Sequence, residues 1–360
     1  MNLFKLKTEL LCKGVRVEGS IEKGRKYGAG PAGGRYLVLP NNSVVNVPLW
    51  PAFADRSDIV LSGFDSNWAL FRNENKITDV ELVTTPKFYS RKTQSGHLMC
   101  KVALIHGKDC LATTLLQRCV HWSEGSGCKF CGIELSLKDK ATLLRKNSRD
   151  LVEVVGTAIE EGVCRHITLT TGTPNTPDKG AKIFAKVTKE IKGSYKIPIH
   201  VQLEPPGEKY LELLAEVEVD TVGIHIENFD RIILKQVCPG KAKVSFEEYL
   251  NAWRKAVELF GEAQVSTYII AGLGENDESI LDGVEKVVSL SVIPFLVPFR
   301  PILGTEFEQR SPPSAKRMIH LYEKTAETLR DYGLDPSKNL AGCVHCGACS
   351  SILDAFMCKG

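Results

Sequence analysis

From about residue 100, short apolar runs alternate with segments of helical periodicity, and this alternation constrains the fold more than any other feature. Near-continuous apolar runs are typical of parallel strands covered by helices. The strand-like runs lie at 110–116, 166–171, 198–204, 221–227, 264–271 and 293–298. The helical patterns lie at 148–161, 179–192, 208–217, 246–259, 278–290 and 314–332. These units in tandem predict an α/β fold, a partial (β/α)6 TIM-like barrel whose chemistry lies at the carboxyl ends of its strands.

The first hundred residues follow a different pattern, with short alternating runs at 35–39, 43–47 and 59–61 and a glycine-rich loop at 28–34. This pattern predicts a β-rich N-terminal region with few helices. We therefore divide the chain into a β-rich region at 1–100, a barrel at 101–335 and a C-terminal segment at 336–360. Nothing in the N-terminal region distinguishes carrier-protein binding from a role in shaping the barrel.

Twelve cysteines are the most informative part of the composition. The N-terminal residues lack a signal-peptide core, so we expect a cytoplasmic protein with reduced thiols that act as metal ligands where they cluster. A formal charge of +3 is too small to indicate nucleic-acid binding. No apolar run approaches the length of a membrane span, so we expect neither a nucleic-acid nor a membrane partner.

The first cysteine cluster follows the first barrel strand and contains Cys119, Cys128 and Cys131 in a glycine-containing loop. A tetrahedral zinc ion would need a fourth ligand, which His121 can supply. A [4Fe–4S] cluster with three protein thiolates would instead leave one iron open to a small molecule.

A three-cysteine loop after the first barrel strand, with an aromatic residue (Phe130) before the last cysteine, resembles the radical S-adenosylmethionine (radical SAM) superfamily. The resemblance implies that Cys119, Cys128 and Cys131 hold a [4Fe–4S] cluster and that Phe130 packs near the adenine of S-adenosylmethionine. The eight residues between Cys119 and Cys128 exceed the three that are usual in this superfamily.

Polar and glycine residues at the later strand ends are the candidate contacts to S-adenosylmethionine. Thr171, Gly172 and Thr173 occupy the position at which the superfamily holds the methionine amino group. Strand periodicity places Gln202 beside Glu204 and His225 beside Glu227, either as cofactor or substrate contacts or as satisfied structural pairs. The end of the fifth strand, with Gly272 and Gly274, resembles the corresponding strand end of lipoyl synthases. The loop after the sixth strand, with Arg300, resembles that of biotin synthase-like members of the superfamily. Arg300 could neutralise a carboxylate there.

The second cysteine cluster lies near the end of the sequence, where Cys343, Cys346 and Cys349 repeat the spacing of ferredoxin loops. We expect an auxiliary [4Fe–4S] cluster there, although His345 makes zinc an alternative. Cys358 is a plausible fourth ligand, and its competitors are Cys12, Cys100 and Cys110. Cys164 and Cys238 are expected to be isolated buried thiols. We expect the segment to fold back over the carboxyl ends of the strands.

The resemblance favours a component of the two-component lipoyl synthases, with the auxiliary cluster donating sulfur to an octanoyl chain. It implies an octanoylated lipoyl carrier protein, a homologous radical SAM partner subunit and an electron donor such as ferredoxin. The sequence also resembles radical SAM proteins encoded with nitrilases, which makes another reaction class, such as a dehydrogenase or maturase, the alternative. A non-catalytic iron–sulfur or zinc binding protein is a second alternative.

Overall fold

The structure, a computed structural model, describes residues 2–21, 33–64 and 67–358. Most of the predicted glycine-rich loop, at 28–32, therefore lies outside the described residues. Two sheets organise the rest of the chain, one in the N-terminal region and one in the barrel.

The N-terminal region contains a six-stranded sheet in the order β1-β4-β5-β6-β2-β3. Its strands are β1 (Arg16–Glu18), β2 (Gly34–Val38), β3 (Val44–Pro48), β4 (Ile59–Phe64), β5 (Asn67–Arg72) and β6 (Asn75–Leu82). A helix that the sequence pattern did not predict, α1 (Leu3–Lys13), covers this sheet. One face of α1, with Leu6, Leu10 and Leu11, packs into the core of the sheet, whereas Phe4 and Cys12 pack into the core of the barrel. The helix α1 thus joins the two parts of the molecule.

The barrel is a seven-stranded sheet in the order β13-β12-β11-β10-β9-β8-β7. The six strands from β8 to β13 are mutually parallel, and β7 pairs with β8 in the antiparallel sense. The strands are β7 (Leu104–His106), β8 (Cys110–Thr114), β9 (His166–Thr170), β10 (Ile199–Leu203), β11 (Thr221–Ile224), β12 (Val265–Ala271) and β13 (Ile293–Pro298). This is the predicted partial (β/α)6 architecture, with one additional strand at its edge.

Helices alternate with these strands and bury their apolar stripes against them. The helices are α2 (Met99–Val102), α3 (Val120–Ser123), α4 (Leu135–Lys138), α5 (Ser148–Glu160), α6 (Ala181–Lys192), α7 (Glu208–Glu216), α8 (Arg231–Val237), α9 (Phe246–Phe260), α10 (Asp277–Val288) and α11 (Ala315–Asp331). Short 3-10 turns occur at Ala54–Arg56, Lys87–Ser90, Lys241–Lys243 and Pro336–Lys338. Local capping fixes several boundaries: Asn147 accepts from the Asp150 amide at the start of α5, and Ser245 and Glu248 form a capping box on α9.

The residues after α11, which we call the tail segment (333–358), end in the helices α12 (Cys343–Cys346) and α13 (Ile352–Met357). In a β/α unit the helix returns the chain to the amino-terminal end of the strands, and the tail segment starts from there. The Gly342 amide donates to His166, the first residue of β9, and the Thr221 hydroxyl, at the start of β11, donates to the Ala341 carbonyl. The tail segment therefore enters the barrel from the amino-terminal ends of its strands. The prediction that it folds over the carboxyl ends is wrong.

Among the described residues, no helix combines the length and the apolar character needed to cross a membrane.

Candidate active site and the two cysteine sets

Three cysteines of the first cluster, which we call the loop set (Cys119, Cys128 and Cys131), line one cavity of about 400 Å³ inside the barrel. Cys119 follows the carboxyl end of β8, and Cys128 and Cys131 lie further along the same loop. The Val120 amide donates to the Thr173 carbonyl and the Lys129 amide donates to the Val237 carbonyl, which fixes both halves of the loop to the barrel. The side chain of Phe130 lines the cavity beside them.

Burial makes the thiolate form of each loop cysteine unfavourable in the absence of a cation. Burial, together with the nearby Cys128 and Cys119 sulfurs, raises the pKa of the Cys131 thiol to about 12. Burial also raises the pKa of Cys119. Positive iron bound at these sulfurs would offset this effect, because metal ligation favours the deprotonated thiol.

Cys238, which we predicted to be isolated, lies beside the loop set. A hydrogen bond to Cys238 is the largest cause that raises the pKa of Cys128, ahead of burial. Cys238 is fully buried at the end of α8, in an apolar cluster with Leu234, and Cys128 packs against that cluster. Sequence spacing gave no signal for this contact, because more than one hundred residues separate the two cysteines.

Glu204 is held in its charged form at the carboxyl end of β10. Its Oε1 lies 2.7 Å from Nε2 of His121 and accepts a 2.8 Å hydrogen bond from the Thr173 hydroxyl. Burial alone would raise the pKa of this carboxyl, but the His121 and Thr173 hydrogen bonds and the charge of Lys241 lower it to about 2. His121 is therefore a partner of Glu204 in this structure, and Lys179 lies 3.7 Å from the other carboxylate oxygen.

Glu227 also lines the cavity, and it forms a 2.5 Å ion pair with Nζ of Lys241. Burial opposes the charge on Lys241, but Glu227 raises the pKa of the ammonium well above its ordinary value. His225 lines the same cavity and stacks on Tyr268 with ring centroids 4.2 Å apart. Glu227 adopts a φ of 68°, which is uncommon for a residue with a side chain. Lys241 was not predicted, and no sequence pattern distinguishes it from a surface lysine.

The remaining predicted contacts divide into two groups. Thr171, Gly172, Thr173 and Gln202 line the cavity with the loop set. A Cβ on Gly172 would lie 2.3 Å from the Arg118 carbonyl oxygen, so the backbone there passes directly under the cysteine loop. Gly272 and Gly274 do not line this cavity, and Cβ atoms on them would face Pro313 and Ile233 instead.

Arg300 also lines the cavity, although its Nη2 already donates to the backbone carbonyl of Asn46 at 2.6 Å. The Asn46 amide in turn donates to the Ala348 carbonyl of the tail segment at 2.8 Å. The strand β3 of the N-terminal sheet is therefore tied both to the end of the barrel and to the tail segment. The Arg300 guanidinium thus has one backbone carbonyl as a partner, and its pairing with a carboxylate stays a prediction.

The cysteines of the second cluster, which we call the tail set (Cys343, Cys346 and Cys349), lie inside the barrel. Cys343 Sγ is 3.2 Å from Nε2 of Gln202, the residue before the last one of β10. A Cβ on Gly107 would lie 2.5 Å from Cys346 Sγ, so Cys346 packs on the turn between β7 and β8. Cys349 lines the same cavity as the loop set. The cavity thus extends from the loop set at the carboxyl ends of the strands to the tail set.

Two candidates for a fourth ligand of the tail set, Cys110 and Cys358, differ in burial. Cys110 is buried at the start of β8, where burial and the nearby Cys346 raise the pKa of its thiol. Cys358 is exposed and shares with Cys346 an open groove of about 1030 Å³ on the amino-terminal side of the barrel. Cys12 is buried close to Arg300, and His345 hydrogen-bonds the Asn339 carbonyl.

All twelve cysteines are free thiols. Within residues 2–21, 33–64 and 67–358, no three His, Cys, Asp or Glu side chains converge as ligands of one metal ion would. A [4Fe–4S] cluster does not need its ligands to converge on one point, because each of its irons binds its own thiolate. Three partly buried thiols that line one cavity of about 400 Å³ fit such a cluster with one iron open.

The central part of the chain matches a known protein family. A family model described as the Radical SAM superfamily matches residues 125–287, which include Cys128 and Cys131 and begin after Cys119. The bacteriochlorophyllide c C-7(1)-hydroxylase of Chlorobaculum limnaeum is 22% identical over 349 residues, covering 91% of this chain and 84% of that protein.

Two lipoyl synthases show shorter similarities. The apicoplast lipoyl synthase of Plasmodium yoelii yoelii is 26% identical over 49% of this chain and 34% of its own length. The lipoyl synthase of Shouchella clausii is 23% identical over 45% of this chain and 50% of its own length. Among solved structures, methylornithine synthase is similar with a TM-score of 0.49 at 17% identity, covering 70% of each chain.

Proposed function

Because this chain contains a radical SAM domain and is a radical SAM enzyme, we propose that it inserts sulfur at an unactivated carbon of an octanoyl chain on a carrier-protein lysine. The observation that carries the proposal is the position of Cys349, which lines the same cavity as Cys119, Cys128 and Cys131. A substrate in that cavity would contact both cysteine sets at once.

The loop set would hold a [4Fe–4S] cluster, and S-adenosylmethionine would bind among Phe130, Thr171–Thr173 and Glu204. When bound, these groups supply a 5′-deoxyadenosyl radical that removes one hydrogen atom from the substrate carbon. The side chains of the protein orient S-adenosylmethionine and the substrate, and they exclude water from the cavity. Glu204, kept anionic by His121 and Thr173, is placed to accept hydrogen bonds from a nucleoside or an amino group.

The wall between the two cysteine sets is largely apolar, which suits an alkyl chain. Its apolar members are Ile133, Leu203, Ile270, Val297, Pro298, Phe299 and Ile302. An alkyl chain on these side chains would release water from the cavity, and that exclusion protects a carbon radical from side reactions.

The tail set would hold the auxiliary cluster. When bound, this cluster supplies sulfide for the new C–S bond and takes up the one electron released as that bond forms. The tail segment itself fixes the distance between the sets, because Gly342, Ala341 and Ala348 are hydrogen-bonded to β9, β11 and β3. The partners of this proposal are an octanoylated lipoyl carrier protein, a homologous radical SAM subunit for the second C–S bond and a ferredoxin-like electron donor.

The test is anaerobic reconstitution with iron and sulfide, followed by reduction with S-adenosylmethionine and an octanoyl-lysine peptide. We expect about eight irons per chain, 5′-deoxyadenosine, and a peptide heavier by one sulfur. Cys349→Ala should retain 5′-deoxyadenosine formation and lose the sulfur-containing product. Cys164→Ala is the matched control, since Cys164 is buried beside the His166 carbonyl and belongs to neither set.

Two results would contradict sulfur insertion. One is 5′-deoxyadenosine formation with a fully loaded protein and an unchanged octanoyl chain. The other is a sulfur-containing product from the Cys349→Ala variant in the same yield as from the Cys164→Ala control.

A second candidate function is an oxidative modification of a C–H bond in which the auxiliary cluster carries electrons. The observation that favours it is the extent of similarity to the hydroxylase, which covers 91% of the chain and so includes parts of both ends. This candidate predicts that 5′-deoxyadenosine forms without consumption of cluster sulfide. Sulfide content before and after turnover therefore separates the two candidates.

A further inference from the structure

Hydrogen-bond donors surround the tail set on the side that faces the cavity. Gln202 Nε2 lies 3.2 Å from Cys343 Sγ, and Asn46 Nδ2 lies 3.9 Å from Cys349 Sγ. The hydroxyl of Tyr268 forms a hydrogen bond with the Cys343 sulfur. These residues come from β10, β3 and β12, so three separate parts of the fold contribute a donor.

A chain of hydrogen bonds fixes the orientation of the Gln202 amide. The Thr221 hydroxyl donates to the Ala341 carbonyl at 3.1 Å, so its oxygen must accept from Nδ1 of His200 at 2.7 Å. The neutral His200 ring then has an unprotonated Nε2, which accepts from the Gln202 amide nitrogen at 3.3 Å. The second N–H of this nitrogen is directed to Cys343. Gln202 therefore presents an N–H to the sulfur, and its carbonyl points elsewhere.

A positive charge completes the set of donors. The Arg300 guanidinium lines the cavity with Cys349 and is held by the Asn46 carbonyl. Asn46 is fully buried, and its Nδ2 donates to Cys349 Sγ. We call these four residues, Asn46, Gln202, Tyr268 and Arg300, the donor shell.

We propose that the donor shell raises the reduction potential of an iron–sulfur cluster held by the tail set and so makes it the electron acceptor for chemistry in the cavity. Reduction adds one negative charge to a buried cluster. N–H and O–H dipoles and a guanidinium stabilise that added charge, and hydrogen bonds to cluster sulfurs are a known determinant of potential. When the substrate carbon radical bonds to cluster sulfide, or to the oxygen of water with loss of a proton, one electron is released. The cluster would gain this electron, and an oxidised ferredoxin-like carrier protein would remove it.

This inference rests on the auxiliary cluster of the proposed function, and it applies to both candidate reactions. It also gives Gln202 a role other than the predicted contact to S-adenosylmethionine. Gln202 acts through the cluster and is a positioning residue, so its test needs the potential itself.

The experiment is a potentiometric titration of the full chain in which Cys119, Cys128 and Cys131 are changed to Ala. The reduced cluster is measured by electron paramagnetic resonance at each potential. Only the tail set can then hold a cluster. Gln202→Met removes the donor to Cys343 at similar side-chain volume. The matched control is Gln264→Met, because Gln264 also binds the tail segment, through the Lys338 carbonyl and the Leu340 amide, and touches no cysteine.

We expect Gln202→Met to shift the midpoint potential to a more negative value, with Gln264→Met unchanged. Tyr268→Phe should shift it in the same direction, whereas Tyr249→Phe, whose hydroxyl donates to the His225 carbonyl, should not. Equal potentials for Gln202→Met and Gln264→Met in proteins with equal iron content would overturn the inference. A parent protein that binds no cluster at the tail set would instead refute the auxiliary cluster of the proposed function.

Discussion

Lys7 and Asp354 form a buried ion pair that fastens the tail segment to α1. The Lys7 ammonium lies 2.6 Å from Asp354, and the two side chains are only 2% and 6% exposed. Lys7→Met removes the cation and leaves the carboxylate buried without its partner. Breaking a buried pair in this way costs about 3–5 kcal/mol.

The matched control lies two residues away on the same helix. Lys5 is 3.9 Å from Glu323, with side chains 52% and 48% exposed. An exposed pair of this kind contributes about 0–1 kcal/mol, so Lys5→Met should leave stability nearly unchanged. Both changes remove one lysine from α1, so a difference in stability between the two variants reports the effect of burying the ion pair.

Hydrogen exchange at α13 measures the effect locally. The amides of Ala355 and Cys358 donate to Ser351 and Asp354 and exchange when α13 opens. A loss of about 3–5 kcal/mol raises the opening equilibrium by roughly two to four powers of ten, because about 1.4 kcal/mol corresponds to a factor of ten.

A double variant tests the reasoning further. Lys7→Met combined with Asp354→Leu removes both charges, and replacing a buried pair by apolar side chains is often neutral or stabilising. Protection of α13 should therefore return to near the parent value. Equal exchange in Lys7→Met and Lys5→Met, or a double variant as unprotected as Lys7→Met, would refute the assignment.

Two further predictions concern the cavity and the entry of the tail segment. Gly342→Ala should prevent cluster formation at the tail set, because its Cβ would lie 2.3 Å from His200 at a φ of 91°. The control is Gly333→Ala, which also has a positive φ (70°) but has no atom within 4 Å of the new Cβ. The iron content of the two purified variants distinguishes them. Glu204, with its pKa lowered from 4.5 to about 2, stabilises the fold above pH 4.5, and this contribution is lost as the pH falls towards 2. The stability difference between the parent and Glu204→Gln should therefore be greatest above pH 4.5, at about 3 kcal/mol, and should disappear near pH 2 in denaturant titrations; a constant difference would contradict this.

Sequence periodicity was sufficient for the barrel because its strands are continuous apolar runs between capped helices. The strand at Ile293–Pro298 has the predicted bounds, and β8 to β12 end within three residues of the predicted limits. The N-terminal region was less predictable. The helix α1 divides its apolar residues between two cores, so a single-stripe pattern does not describe it.

The candidate site was predictable where side chains follow strand ends. Glu204, Glu227 and Thr171–Thr173 line the cavity because the carboxyl ends of parallel strands meet there. Lys241 and Cys238 lie after α8, and their approach to Glu227 and Cys128 depends on tertiary packing alone. The position of the tail set could have been derived, since a chain that leaves a barrel helix is at the amino-terminal ends of the strands.

The pairing of Lys7 with Asp354 also has a consequence for biosynthesis. The two residues are 347 positions apart. At about 5–20 residues per second of translation, Lys7 leaves the ribosome roughly 20–70 s before its partner. The loop set and the strands around it are synthesised within that interval. The three cysteines of the tail set are therefore synthesised after the loop set and after the barrel strands that they contact.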